Sequence, residues 1–190
     1  QPKKSWMKIV SIPVCPMADG NGRFGNGKVP SSRKAVVHTA SFFKGKAAFI
    51  SREWWPDFCN YRRSIFPYPE AGSIEESILD VLKNEGSLIT RELRAACGFT
   101  GPKMRSRFDA YLTRLEMGGY IVTEDFIYPH DRHGREFGWG WSLLTTPENL
   151  FGKESCHSSL SPQESYEQML GQFRKILPDE SETTFRTLLK

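Results

Sequence analysis

Between residues 73 and 146 the apolar positions keep a helical period in three successive stretches, then give way to β-branched and aromatic runs. Ile74, Ile78, Val81 and Leu82 make the first helical face. Ser73-Ile-Glu-Glu76 precedes it as a capping box, in which the Ser73 hydroxyl and the Glu76 carboxylate satisfy each other's orphan amides. Asn84-Glu-Gly86 ends that helix. Beyond Ser87-Leu-Ile89, Thr90 is placed to cap a shorter helix from Arg91 to Cys97, which Gly98 stops at a left-handed position. The third helix starts at Gly101-Pro102, because proline in the first turn lacks only a donor that would be unpaired anyway. Gly118-Gly119 closes it. Met104, Phe108, Tyr111, Leu112 and Leu115 fall on one face of this third helix, so that face is expected to be buried. Tyr120 to Phe126 then reads as a strand, His130-Asp-Arg-His-Gly-Arg135 as a polar turn, and Phe137 to Leu144 as a second strand. Three helices followed by a β-hairpin predict an α+β fold with a winged helix over residues 73–152.

The third helix carries a second stripe. Lys103, Arg107 and Arg114 share one flank at spacings of four and seven, away from the apolar face. In a winged helix the third helix enters the DNA major groove and the hairpin turn touches the flanking backbone. Lys103, Arg107 and Arg114, with Arg132 and Arg135 on the wing, are therefore the candidate DNA contacts. Two other readings compete: winged helices also serve as protein-protein modules, and cations on an exposed helix are commonly a solvated face. Residues 73–152 hold nine Lys/Arg against twelve Asp/Glu, so any DNA contact there rests on local clustering and not on bulk charge.

Residues 1–72 reverse that balance, with twelve Lys/Arg against four Asp/Glu. This basic α/β amino-terminal region is expected to pack on the core and to supply phosphate attraction, with Arg52, Arg62 and Arg63 among its candidate contacts. Trp6 to Val14 reads as a strand. Gly20, Gly22 and Gly25 match a dinucleotide-binding spacing, yet Asn26-Gly-Lys-Val-Pro30 follows instead of a helix, so a glycine loop is the better reading. Ser31 or Ser32 is placed to cap a short helix through Ala35, Val36, Ala40 and Phe43. Ser51 is placed to cap another that begins at Arg52-Glu-Trp54 and is limited by Pro56. At the other end, residues 153–159 read as a linker. Ser161-Pro-Gln-Glu164 is a capping box for a helix bearing Tyr166, Met169, Leu170, Phe173 and Leu177. A last short helix spans Glu182 to Leu189. These carboxy-terminal helices either pack back on the body or form a homodimer contact.

Three pieces of this chain also resemble a known family. They are Lys46-Ala-Ala-Phe-Ile-Ser-Arg-Glu-Trp-Trp-Pro-Asp-Phe-Cys-Asn-Tyr-Arg-Arg63, the three-helix and hairpin unit, and Gly138-Trp-Gly-Trp-Ser-Leu-Leu-Thr-Thr-Pro-Glu-Asn-Leu150. Together, over about Phe43 to Gly152, they resemble the AlkZ/YcaQ-type winged-helix DNA glycosylases, and more closely the small AlkZ-related proteins. The resemblance implies DNA binding and a link to repair of alkylated or crosslinked DNA. Base excision in that family depends on a glutamine-aliphatic-glutamine or glutamine-aliphatic-aspartate motif. The glutamines here, Gln1, Gln163, Gln168 and Gln172, make neither. No catalytic residue carries over.

Composition narrows the rest. At 190 residues the chain can form one domain or two small ones, and 38% hydrophobic residues suit a globular core. No apolar run approaches the roughly 20 residues of a membrane span. Position 1 is not methionine, so the chain reads as starting inside a longer gene product. Cys15, Cys59, Cys97 and Cys156 form no Cys-x-x-Cys pair, which fits free thiols in a reducing cytoplasm better than zinc or a redox motif. His130 and His133 flank the wing turn without a third ligand. Glu53, Asp57, Glu124 and Asp125 are the carboxylates that a divergent glycosylase could use, were they gathered in a cleft. The sequence thus points to a non-catalytic winged-helix protein binding double-stranded DNA, needing no cofactor, metal or membrane. A carboxylate-dependent glycosylase and a protein-interaction module are its alternatives.

Overall fold

The computed structural model describes residues 36–43, 46–136 and 140–189. The expected strand at Trp6 to Val14, the glycine loop and Cys15 lie outside the described residues. The fold is α+β. It opens with a hairpin of β1 (Val36–Phe43) and β2 (Lys46–Ser51), in which Val36 faces Ser51 and Val37 faces Ile50. The short helix expected through Val36, Ala40 and Phe43 is therefore a strand. Val36-Val37 and Phe42-Phe43 suit a pleated surface, and pairing to β2 decides between the two readings. The next helix, α1 (Trp55–Ile65), starts three residues later than expected, with Pro56 inside its first turn. Ser51 ends β2 and does not cap α1.

The three-helix unit follows as α2 (Ile74–Glu85), α3 (Thr90–Ala96) and α4 (Arg105–Met117). Ser73 Oγ accepts from the Glu76 amide at 3.2 Å, as the capping box requires. The Glu76 carboxylate, however, takes the amide of Gly72, at 2.7 Å. Ile89, not Thr90, stands at the cap position of α3. Gly98 adopts the left-handed φ of +77° that ends α3, and a single 3₁₀ turn at Pro102–Met104 leads into α4. Gly119, at φ +72°, turns the chain out of α4, where only glycine enters without strain. Two strands then return: β4 (Val122–Ile127) and β5 (Trp141–Thr145), paired antiparallel from Val122–Thr145 to Ile127–Trp141.

A two-residue strand, β3 (Leu88–Ile89), pairs with the end of β5, and β1 joins β4 through His38 and Thr123. The sheet order is β2-β1-β4-β5-β3, antiparallel at every pairing. After it come α5 (Pro147–Phe151), a 3₁₀ turn at Lys153–Cys156, α6 (Pro162–Ile176) and α7 (Glu182–Leu189). The residues read as a linker after Gly152 thus begin with a 3₁₀ turn. The capping box of α6 is complete, with Ser161 Oγ and the Glu164 carboxylate each bonded to the other's amide.

Ile121 and Val122, adjacent in the chain and both fully buried, serve two different cores, because successive side chains along a strand point to opposite faces. Ile121 joins Ile78, Leu82, Leu93, Phe108 and Leu115 of the three-helix unit. Val122 joins Trp55 and Phe58 of α1, Met169, Leu170 and Phe173 of α6, and Phe185 and Leu189 of α7. The apolar faces of α6 and α7 are thus spent inside the chain. Arg62 sits between the two halves at 0% exposure. Its Nε donates to Met117 O at 2.7 Å and its Nη1 to Leu189 O at 2.8 Å. Both carbonyls are the last of their helices, α4 and α7, where the helix dipole is negative and the acceptors lack an intrahelical partner. No described helix is long and apolar enough to cross a membrane.

Candidate nucleic-acid interface

Helix α4 is held by one face and leaves the other in solvent. Phe108 is fully buried and Leu112 and Leu115 nearly so, with the Phe99 ring 5.5 Å from that of Phe108 and 6.2 Å from that of Tyr111. Lys103, in the 3₁₀ turn, and Arg107 and Arg114, in α4, are exposed on the opposite side. Arg105 is exposed as well, a cation that the four-and-seven spacing did not pick out. Among the described residues none of these four side chains enters an ion pair. Asp109 is the one exposed acid within the helix itself.

The hairpin turn beyond β4 is organised by Asp131. Its carboxylate accepts from the His133 amide at 2.8 Å, the Arg135 amide at 3.0 Å and Arg135 Nε at 3.2 Å. Those bonds, the Arg135 amide foremost, hold the carboxyl below its ordinary range. Arg135 is therefore tied to its own turn, although still exposed, and Arg132 points a hydrogen bond at His133 Nε2 at 3.1 Å. At the turn end of the β4–β5 ladder Ile127 and Trp141 face each other across the strands at 44% and 49% exposure. The Arg91 guanidinium from α3 lies 5.8 Å from the Trp141 ring. Sequence reading placed Trp141 in a strand but could not tell which face it would show.

The amino-terminal candidates divide. Arg52 is exposed, with its guanidinium 4.5 Å over the Phe151 ring. Arg62 is interior, and burial pushes its guanidinium down to about 10. Arg63 is half-buried: its Nη2 bonds Gly119 O at 3.1 Å and Glu148 Oε1 at 2.7 Å, and its guanidinium stacks 4.7 Å from the Tyr120 ring. Arg62 and Arg63 thus tie helix ends and the Gly119 turn together, and neither offers a free cation to a phosphate.

The carboxylates are scattered. Glu53 is exposed, while Asp57 accepts the Ser158 and Ser165 hydroxyls at 2.6 and 3.2 Å. Asp125 takes the Phe126 amide at 2.8 Å. Glu124 is buried, accepts the Ser87 hydroxyl, and borders an open cleft of about 550 Å³ lined by Lys83, Asn84, Thr145 and Asn149. Among the described residues no three His, Cys, Asp or Glu side chains cluster as metal ligands. What the surface offers chemically is a set of exposed cations on α4 and its leading turn, outside any ion pair among the described residues, and a short hairpin with an exposed aromatic ring.

A model of the family described as AlkZ related matches residues 28–190. No curated protein and no solved structure matches the chain.

Proposed function

The chain belongs to the AlkZ-related family, and from that premise we propose that it binds double-stranded DNA through a winged helix formed by α2, α3, α4 and the β4–β5 hairpin, without excising a base. The observation that carries this reading is the flank of Lys103, Arg107 and Arg114, exposed and free of ion pairs among the described residues. Three donors at helical spacing on one rigid face suit a phosphate backbone, whose charges repeat at fixed intervals. Arg132 would meet the flanking backbone as a wing does, and Arg135, although ion-paired to Asp131 at 3.2 Å, is exposed enough to join it if phosphate displaces that carboxylate. Arg52 is a further contact if DNA reaches the α1 side. The family supports a relation to DNA-repair glycosylases. The scattered carboxylates and the lack of a glutamine motif favour binding without catalysis.

The reading fixes a salt dependence. With about four phosphates neutralised, affinity for a plain duplex is expected to fall on the order of 100-fold between about 50 and about 200 mM salt, because each contact releases condensed counterions. Fluorescence anisotropy of a labelled duplex measures it. No binding at the lower salt, or affinity that does not move with salt, would remove the proposal. Release of free base from an alkylated duplex would replace it with the glycosylase alternative.

A further inference from the structure

Cys59 in α1 and Cys156, last residue of the 3₁₀ turn after α5, are distant in sequence, but that turn packs on α1 and sets Cys156 against the same core that buries Cys59, within reach of its thiol. Cys59 is fully buried in the core that α1 shares with α6, whereas Cys156 packs on the edge of that core and is only partly buried. Arg63 acts on both sulfurs through its charge, and its Nε is buried with no hydrogen-bond partner among the described residues. Ser155 Oγ stands 3.8 Å from Cys156 Sγ. Burial pushes the Cys59 thiol well up. The neighbouring Cys59 thiol, aided by the Arg63 guanidinium, pulls Cys156 down despite its own partial burial. The pair therefore has unequal members: a partly buried sulfur at the edge of the core that is the better nucleophile, and a fully buried one that keeps its proton until needed.

We propose that Cys59 and Cys156 form a reversible dithiol–disulfide site that reacts with low-molecular-weight disulfides of the glutathione class. The Cys156 thiolate attacks one sulfur of the disulfide, forming a mixed disulfide and expelling one thiolate. Cys59 then attacks Cys156 Sγ, and its proton passes to the departing second thiolate, which leaves as a thiol. Two protein thiols are oxidised to one disulfide, and the small disulfide is reduced to two thiols, so electrons and protons balance. The resulting bond staples α1 to the turn after α5 and closes a loop that contains α2, α3, α4 and the β4–β5 hairpin. Cys97, half-buried at the end of α3 and raised by burial alone, serves as an internal control.

The test incubates the full chain with oxidised glutathione, blocks remaining thiols by alkylation and maps cysteines by peptide mass spectrometry. In the wild type a linked Cys59–Cys156 peptide pair is expected, lost again on adding dithiothreitol, with Cys97 alkylated throughout. Cys59→Ala is expected to halt at a glutathione adduct on Cys156, and Cys156→Ser to leave Cys59 alkylatable and unmodified by glutathione. Wild-type protein that keeps both thiols alkylatable, or that takes glutathione at Cys97 in preference to Cys156, would overturn the proposal. The wild-type measurement decides even if a variant fails to fold.

Discussion

Replacing Arg62 by alanine is expected to destabilise the protein by about 3–5 kcal/mol, with about 1–3 kcal/mol for each backbone carbonyl left without its donor and the rest from the void left by the side chain. The cause is specific. The guanidinium is fully buried and bridges Met117 O at the end of α4 and Leu189 O at the end of α7. Truncation leaves the buried Leu189 carbonyl and the part-buried Met117 carbonyl without their donors, and it opens a void beside Phe58 and Phe66, whose rings lie 5.7 and 4.9 Å from the guanidinium. For a chain of this size the unfolding midpoint should drop by roughly 10 °C, read by circular dichroism during a thermal ramp. Arg62→Lys should recover only part of the loss, because one ammonium cannot present the two divergent donors of the fork. A midpoint for Arg62→Ala within about 2 °C of wild type would show that the two carbonyls find other partners.

The second large effect is on binding. The triple variant Lys103→Ala, Arg107→Ala, Arg114→Ala is expected to lose about 10- to 100-fold in affinity for duplex DNA at low salt, with the slope of log affinity on log salt shallower by about 2–3. Stability should barely change, since all three side chains are exposed and outside any ion pair among the described residues. Anisotropy at several salt concentrations, beside a melting curve for the variant, separates lost contact from lost fold. Unchanged affinity would move the nucleic-acid surface away from α4.

Local signals in the chain were legible and distant ones were not. The Ser73 and Ser161 caps, the Gly98 stop and the buried stripe of α4 follow from residues a turn apart, and the structure places each where the spacing put it. The strand β1 was misread as a helix because Val36, Ala40 and Phe43 also fit a helical period, and only the partner strand resolves such a tie. Arg62 and Arg63 looked like phosphate contacts because sequence shows a charge but not what surrounds it. The Leu189 carbonyl that holds Arg62 lies 127 residues further along. Helix α5 escaped notice at five residues, although Thr146-Pro147 supplied its cap and first turn. Cys59 and Cys156 carried no local motif at all, and their meeting is a product of how α1 packs against the turn after α5.

In the proposed complex, DNA lies against the exposed flank of α4 and the hairpin turn. Hydrogen–deuterium exchange of the full chain, with and without a saturating plain duplex, tests it most directly. Slowed exchange is expected in peptides covering residues 101–117 and 128–136, with α6 and α7 unchanged. Protection confined to α6 and α7, or no protection anywhere at low salt, would contradict it.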